Sequence, residues 1–271
     1  MNGFAMYFAS VRSEFTKLLS TRLWWVLALI IIGYVALCAG GLGAILGGVG
    51  TRSGGPQLPT ADLPLLIYSF ATSVGYVFPV LLGALAVTSE FRFQSLTPTF
   101  LATPRRGLVL GGKLLALFVA GAVFGVLALV ASIGAGGSVL AAFGIDPLLG
   151  DPATWEFVGR SVLAMALWSA IGIGLGALVP SQVAAIVIVL AFTQFVEPLL
   201  RFGASITDWS AQLAQFLPGA ASDALVGSSL YAAISPASVS LEWWQGGLVL
   251  AGIAVVATAI GYVTSWRRDV S

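Results

Sequence analysis

Residues 161–196 read SVLAMALWSAIGIGLGALVPSQVAAIVIVLAFTQFV, with no charged side chain between Arg160 and Glu197. A hydrocarbon core about 30 Å thick takes about 20 apolar helical residues. The stretch is therefore long enough to cross a membrane once with length to spare, or twice if it turns. Pro180-Ser181-Gln182 falls near its middle. Proline lacks the backbone donor a helix needs and pushes the residue before it out of the helical region. The reading is two spans, at about 160–179 and 183–203. One long kinked helix is the alternative, since membrane helices tolerate proline.

Four other charge-free runs, 23–51, 63–89, 114–145 and 243–266, supply one crossing each. They predict spans at about 23–48, 65–88, 113–135 and 243–266, six in all. Charge placement favours six over five. With the N-terminus inside, the inner segments hold Arg12, Lys17, Arg22, Arg92, Arg105, Arg106, Lys113, Arg267 and Arg268, against Arg52, Arg160 and Arg201 outside. Cytoplasmic loops concentrate Lys and Arg, so nine against three orients the chain with both termini in the cytoplasm. Five spans would move Arg267 and Arg268 outside and weaken the bias. Trp24, Trp25, Trp155, Trp243, Trp244 and Trp266 flank spans as interfacial anchors do, and Trp168 alone falls mid-span. The expected fold is an all-α integral membrane protein, one transmembrane domain over 1–271 in the cell (inner or plasma) membrane.

Composition agrees. The chain is 58% hydrophobic and 8% charged, with net charge +1, and its mean hydropathy is +1.00. A soluble domain carries about a quarter charged residues, so no ordinary water-facing surface is available. There is no His, and Cys38 is the single cysteine. That excludes an intrachain disulfide, a His or multi-Cys metal site, and imidazole catalysis. No bound metal or cofactor and no nucleic-acid partner is expected. Val35-Ala36-Leu37-Cys38 faintly resembles a lipoprotein cleavage box, but Leu37 stands where a small residue is needed, and the run reads as a retained first span.

Three segments outside the spans carry the functional information. In 4–22, Phe4, Phe8, Val11, Phe15, Leu18 and Leu19 recur at three-to-four spacing, with Arg12, Ser13, Glu14, Thr16 and Lys17 elsewhere on the wheel. That pattern predicts an amphipathic helix at the inner interface, its cations suited to anionic lipid. The segment 89–112 is too polar for the membrane and longer than the roughly two to eight residues a helix connection needs. Its alternating charge and aromatics make Glu90, Phe91, Arg92, Phe93, Leu96, Thr97, Arg105 and Arg106 candidates for docking a cytoplasmic partner. Ordinary positive-inside loading explains Arg105 and Arg106 equally well, but not Phe91 and Phe93. The third segment, 204–242, is too apolar for a free loop and is broken by Pro218-Gly219, which fits two short helices dipping into the outer leaflet or a small outer cap.

Gly107 to Lys113 nearly matches a phosphate-binding loop, but position 114 is Leu, so the metal-binding hydroxyl is missing. Lys113 reads instead as a side chain snorkelling to headgroups. Glu197 and Arg201, four residues apart, share a helix face in the favourable order and read as a structural ion pair at the outer end of the fifth span. Phe70, Tyr76 and Phe78 in the second span, with Phe192, Gln194 and Phe195 in the fifth, are candidates for lining a substrate pathway; packing or lipid-facing aromatics are the alternative.

The runs Arg12-Ser13-Glu14-Phe15-Thr16-Lys17-Leu18, Thr88-Ser89-Glu90-Phe91-Arg92, Thr97-Pro98-Thr99, Thr103-Pro104-Arg105-Arg106 and Phe216-Leu217-Pro218-Gly219-Ala220-Ala221 resemble the membrane subunits of type II ABC exporters, especially actinobacterial ones. The resemblance covers nearly the whole chain. It implies that 4–22 is the connecting helix, that 89–108 holds a coupling helix with Glu90 as its leading contact, and that 204–242 is a re-entrant hairpin. It implies two permease subunits, identical or paralogous, with two cytoplasmic ATPase subunits that carry ATP and Mg²⁺. The chain itself would be no enzyme, and cargo would pass between the second and fifth spans. A passive channel or stand-alone scaffold, and an intramembrane lipid-modifying enzyme, are the competing readings.

Overall fold

In the computed structural model, which describes residues 3–50, 63–96, 99, 101, 105–204, 208–229 and 241–266, the described residues form helices and connecting turns with no strand. Six helices are long and apolar enough to cross a membrane: Leu23–Gly48, Leu63–Arg92, Arg106–Ala142, Pro152–Leu178, Gln182–Ala204 and Trp243–Trp266. The chain is thus a multi-pass membrane protein. The 161–196 run is divided where its proline stands. The fourth span ends at Leu178, Val179 is extended (φ −119°, ψ 90°), and Ser181 caps the fifth span by accepting from Ala184 N at 3.4 Å. Other starts are equally local: Asp151 caps the fourth span with Pro152 at its first position, and Glu242 and Gln245 form a reciprocal capping box on the sixth.

The fourth span is the axis of the bundle and packs against the second, third and sixth. Small residues let it do so. A Cβ on Gly172 would strike the Val80 carbonyl of the second span, one on Gly83 the Ser169 carbonyl in return, and Gly121 and Gly125 of the third span close on Met165. Such contacts replace the hydrophobic drive that lipid cannot provide. Burial follows the layout. In the second and fourth spans 67% of the apolar window is buried, against 22% in the first and fifth and 28% in the sixth, so these last three present their apolar faces outward.

Four spans are irregular, the sixth by a π turn at its end, Tyr262–Trp266. The second is interrupted at Ser69 and again at residues 74–76, giving Leu63–Tyr68, Phe70–Ser73 and Val77–Arg92. Pro79 accounts for the second break: it has no N–H for the carbonyl of Gly75, and its ring crowds that carbonyl. In the fifth span, Gln182–Ala191 passes into one π-helical turn, Phe192–Val196, before Glu197–Ala204. Pro198 stands four residues after Gln194 and removes the same ladder bond there. The third span also carries a π turn, at Ile133–Gly137, and runs on to Ala142.

Outside the spans, Gly3–Ser20 is a helix, and Asp208–Ala214 and Pro218–Val226 are two short ones separated just before Pro218-Gly219. The N-terminal helix packs on the third span through Tyr7, which donates to Gly111 O (3.2 Å), and Ser10, which donates to Leu108 O (3.5 Å). Gly112 allows the approach, because a Cβ there would sit 2.6 Å from Ser10 Oγ. The glycines of the near phosphate-loop pattern are therefore a helix contact.

Candidate functional site

The bundle holds two polar sites at opposite ends. The first joins the N-terminal helix, the end of the second span and the start of the third. Lys17 Nζ lies 2.7 Å from Glu14 Oε1 and 2.9 Å from Glu90 Oε1. Lys113 Nζ donates to Glu14 Oε2 and lies 3.1 Å from Glu90 Oε1. These are the only two lysines in the chain. Lys113 is 1% exposed, Glu90 5% and Glu14 6%, whereas Lys17 is half-buried. Lys113 therefore does not snorkel; it is enclosed between two carboxylates. Two cations balance two anions, which is what a site this dry requires. Burial pushes the Glu14 carboxyl up, but Lys113 and then Lys17 outweigh it, so Glu14 titrates below the ordinary glutamate range. Burial lowers Lys17, and Glu90 and Glu14 more than reverse that, holding its ammonium above its ordinary value.

The docking candidates separate around this cluster. Glu90 is not on the surface: its carboxylate is drawn inward by the two ammonium groups, and its Oε2 has no partner among the described residues. Phe91 packs edge-on against Trp266 at 5.9 Å. Leu96 is fully buried, and Thr97 lies outside the described residues. Arg106 is half-buried and exchanges bonds with Trp266, whose indole N–H donates to Arg106 O at 3.3 Å. Arg92, Phe93 and Arg105 are exposed; Arg92 donates to Gln182 Oε1 at 3.0 Å and lies 5.5 Å over the Phe93 ring, which is 71% exposed.

The second site is a cavity of about 380 Å³ toward the other end of the bundle. Phe70, Thr72, Ser73, Val74 and Tyr76, at the break in the second span, form one wall. Thr193, Gln194, Glu197, Pro198 and Arg201, along and just beyond the π turn of the fifth, form the facing wall. Gly219, Ser222 and Asp223 of the short helix Pro218–Val226 complete it. Arg201 Nε donates to Glu197 Oε1 (3.1 Å) and its Nη1 to Asp223 Oδ2 (2.6 Å), while Ala220 N donates to Glu197 Oε1 (3.2 Å). The expected Glu197–Arg201 pair is thus present, with Asp223 as a third member. Burial pushes the Asp223 carboxyl up, against the pull of Arg201. Beneath the cavity, Trp168 stacks on Tyr76 at 4.5 Å and donates to Ser222 Oγ at 3.1 Å, and Tyr76 donates to Thr193 O at 3.2 Å.

Of the pathway candidates, the structure brings Phe70, Tyr76 and Gln194 together at this cavity. Phe78 turns instead to Tyr34 of the first span (6.2 Å between rings), Phe195 is 68% exposed on the outer face of the bundle, and Phe192 is half-buried away from the lining. Residues that the sequence reading did not select include Glu14, Lys17 and Lys113 in the first site, and Thr72, Ser73, Val74, Thr193, Pro198, Gly219, Ser222 and Asp223 in the second. The signal for the first was available in composition, since two lysines in so apolar a chain fall beside the same glutamates. Asp223 carried no local pattern that separates it from an ordinary outer-loop acid. Compared with protein-family models and with curated proteins, the chain matches none.

Proposed function

We propose that this chain is the permease subunit of an ATP-binding-cassette exporter, working in the cell membrane with its termini in the cytoplasm. The observation that carries the reading is the construction of the segment after the second span. Arg92 and Phe93 stand exposed immediately above Glu90, which the buried cluster ties to the N-terminal helix and the third span. A push delivered to that exposed pair would reach three helices together rather than bend a loop. Two cytoplasmic ATPase subunits, carrying ATP and Mg²⁺, would supply the push to two permease subunits, and rocking of the halves would alternate access to an apolar or amphipathic cargo. Arg105 extends the docking face. Lipid surrounds the first, fifth and sixth spans wherever a second permease does not.

Co-purification tests this. The full chain should retain a cytoplasmic ABC ATPase through purification, and vesicles containing both should move cargo only with ATP. Phe93→Ala with Arg92→Ala should release the ATPase while the melting temperature of the chain stays unchanged. ATP-independent flux through the chain alone would refute the reading and favour a passive channel.

A further inference from the structure

Among the described residues, the cavity at the far end of the bundle has an unbalanced charge. Glu197 and Asp223 contribute two carboxylates and Arg201 one guanidinium, all three among its lining. Glu197 is 3% exposed, and among the described residues its Oε2 has no donor; Ser73 Oγ, on the opposite wall, is buried and equally without a described partner. An ionised group in so dry a setting is costly unless its charge is met, and such groups inside spans mark sites of binding or transfer. By contrast, the four charges at the other end of the bundle cancel.

The backbone gives an independent pointer. The break in the second span and the π turn of the fifth lie on the two facing walls of this one cavity. Irregular backbone at membrane depth survives where it lines a cavity, and interrupted helices form the substrate sites of many transporters. Both irregularities are written into the sequence by proline, at Pro79 and Pro198. The cavity volume falls at the small end of the range for small-molecule pockets, about 300–1,000 Å³. Phe70 and Tyr76 add aromatic surface of the kind that receives organic cations.

We infer that this cavity binds the cationic group of a small amphipathic amine, with Glu197 and Asp223 supplying the excess negative charge and Phe70 and Tyr76 the apolar contact. The inference deepens the transport reading by naming a class of cargo, and it rests on that reading only in calling the bound amine cargo. Ser73 Oγ can accept an ammonium N–H, though its hydroxyl would serve an anion as well by donating, so the charge preference rests on the carboxylates. An anionic ligand would add a third negative charge to the site.

The test uses the purified full chain, without an ATPase, in nanodiscs of zwitterionic phosphatidylcholine. Three probes of one shape are compared by calorimetry against empty nanodiscs: 1-naphthylmethylammonium, neutral 1-naphthylmethanol and anionic 1-naphthoate. The ammonium should bind about tenfold or more tightly than the alcohol, and the naphthoate weakest. Glu197→Gln and Asp223→Asn should each remove most of the ammonium's advantage and leave the alcohol's affinity unchanged. If Glu197→Gln does not fold, Asp223→Asn decides, because it leaves the Glu197–Arg201 pair in place. Equal affinity for ammonium and alcohol, or ammonium binding that neither substitution weakens, overturns the inference. Because no ATPase is present, that failure would leave the exporter reading standing, and loss of ATPase co-purification would leave the binding result standing.

Discussion

Replacing Lys113 by Met keeps the length and apolar stem of the side chain and removes only its charge. Lys113 is 1% exposed and bridges Glu14 and Glu90, so the substitution leaves two buried carboxylates facing Lys17 alone. Removing one partner of a buried charged pair costs about 3–5 kcal/mol, most of it from the charge left behind. Lys113→Met should therefore lose about that much, measured by reversible unfolding of the purified chain in mixed dodecyl maltoside and SDS micelles, followed by circular dichroism. The double variant Lys113→Met with Glu14→Gln restores balance, leaving Glu90 and Lys17 at 2.9 Å. It should recover a large part of the loss, a coupling of about 0.5–3 kcal/mol in a double-mutant cycle. A lysine snorkelling to headgroups would behave otherwise, changing stability by no more than about 0.5 kcal/mol. A loss under about 1 kcal/mol for Lys113→Met, or a double variant as unstable as the sum of the single ones, would refute the cluster as the tie between these helices.

Three further outcomes follow from the same geometry. Glu14 titrates below its ordinary value, so its stabilisation is complete above about pH 4.3 and is lost as pH falls through the depressed folded value. Lys17 titrates above its own ordinary value, so its contribution is complete below about pH 10.4 and is lost as pH rises past the raised one. The melting-temperature gap between wild type and Glu14→Gln should accordingly stay constant through neutral pH and close on acidification; a gap that widens would reverse the sign. Gly172→Val places a side chain against the Val80 carbonyl and should cost about 1–3 kcal/mol, whereas the same change at Gly159, with open space around it, should cost far less in the same unfolding assay. Trp168→Phe keeps the stack on Tyr76 and loses the bond to Ser222, for about 1 kcal/mol; no change would mean that this bond contributes nothing.

The number of spans was legible because it rests on two local facts, the length of apolar runs and the proline inside the longest. The proline at position 180 ends one helix and the serine after it caps the next, without help from distant residues. The cavity was legible only in part. Pro79 and Pro198 mark the two irregular turns in the sequence, yet nothing local says that the turns face each other. That is decided by the close packing of the second span on the fourth through Gly83 and Gly172, and of the fifth on the second. The placement of Glu90 was illegible for a related reason. A helical wheel of 4–22 puts Glu14 and Lys17 on the polar side, which reads as solvent-facing, but the third span offers Lys113 there and turns that face inward. Local pattern sorts residues into faces, and partners decide which face is covered.

The enclosure of Lys113 has a practical consequence for probing this protein in its membrane. Of its two lysine side chains, one is sealed and the other, Lys17, is 40% exposed but held by Glu14 and Glu90. An acylating reagent meets very little lysine amine while the N-terminal helix is seated, the α-amino terminus being scored separately by its own peptide. Detachment of that helix would free Lys17 and uncover Lys113 together, so the rate at which these two amines are acylated is a built-in clock for the opening of the helix.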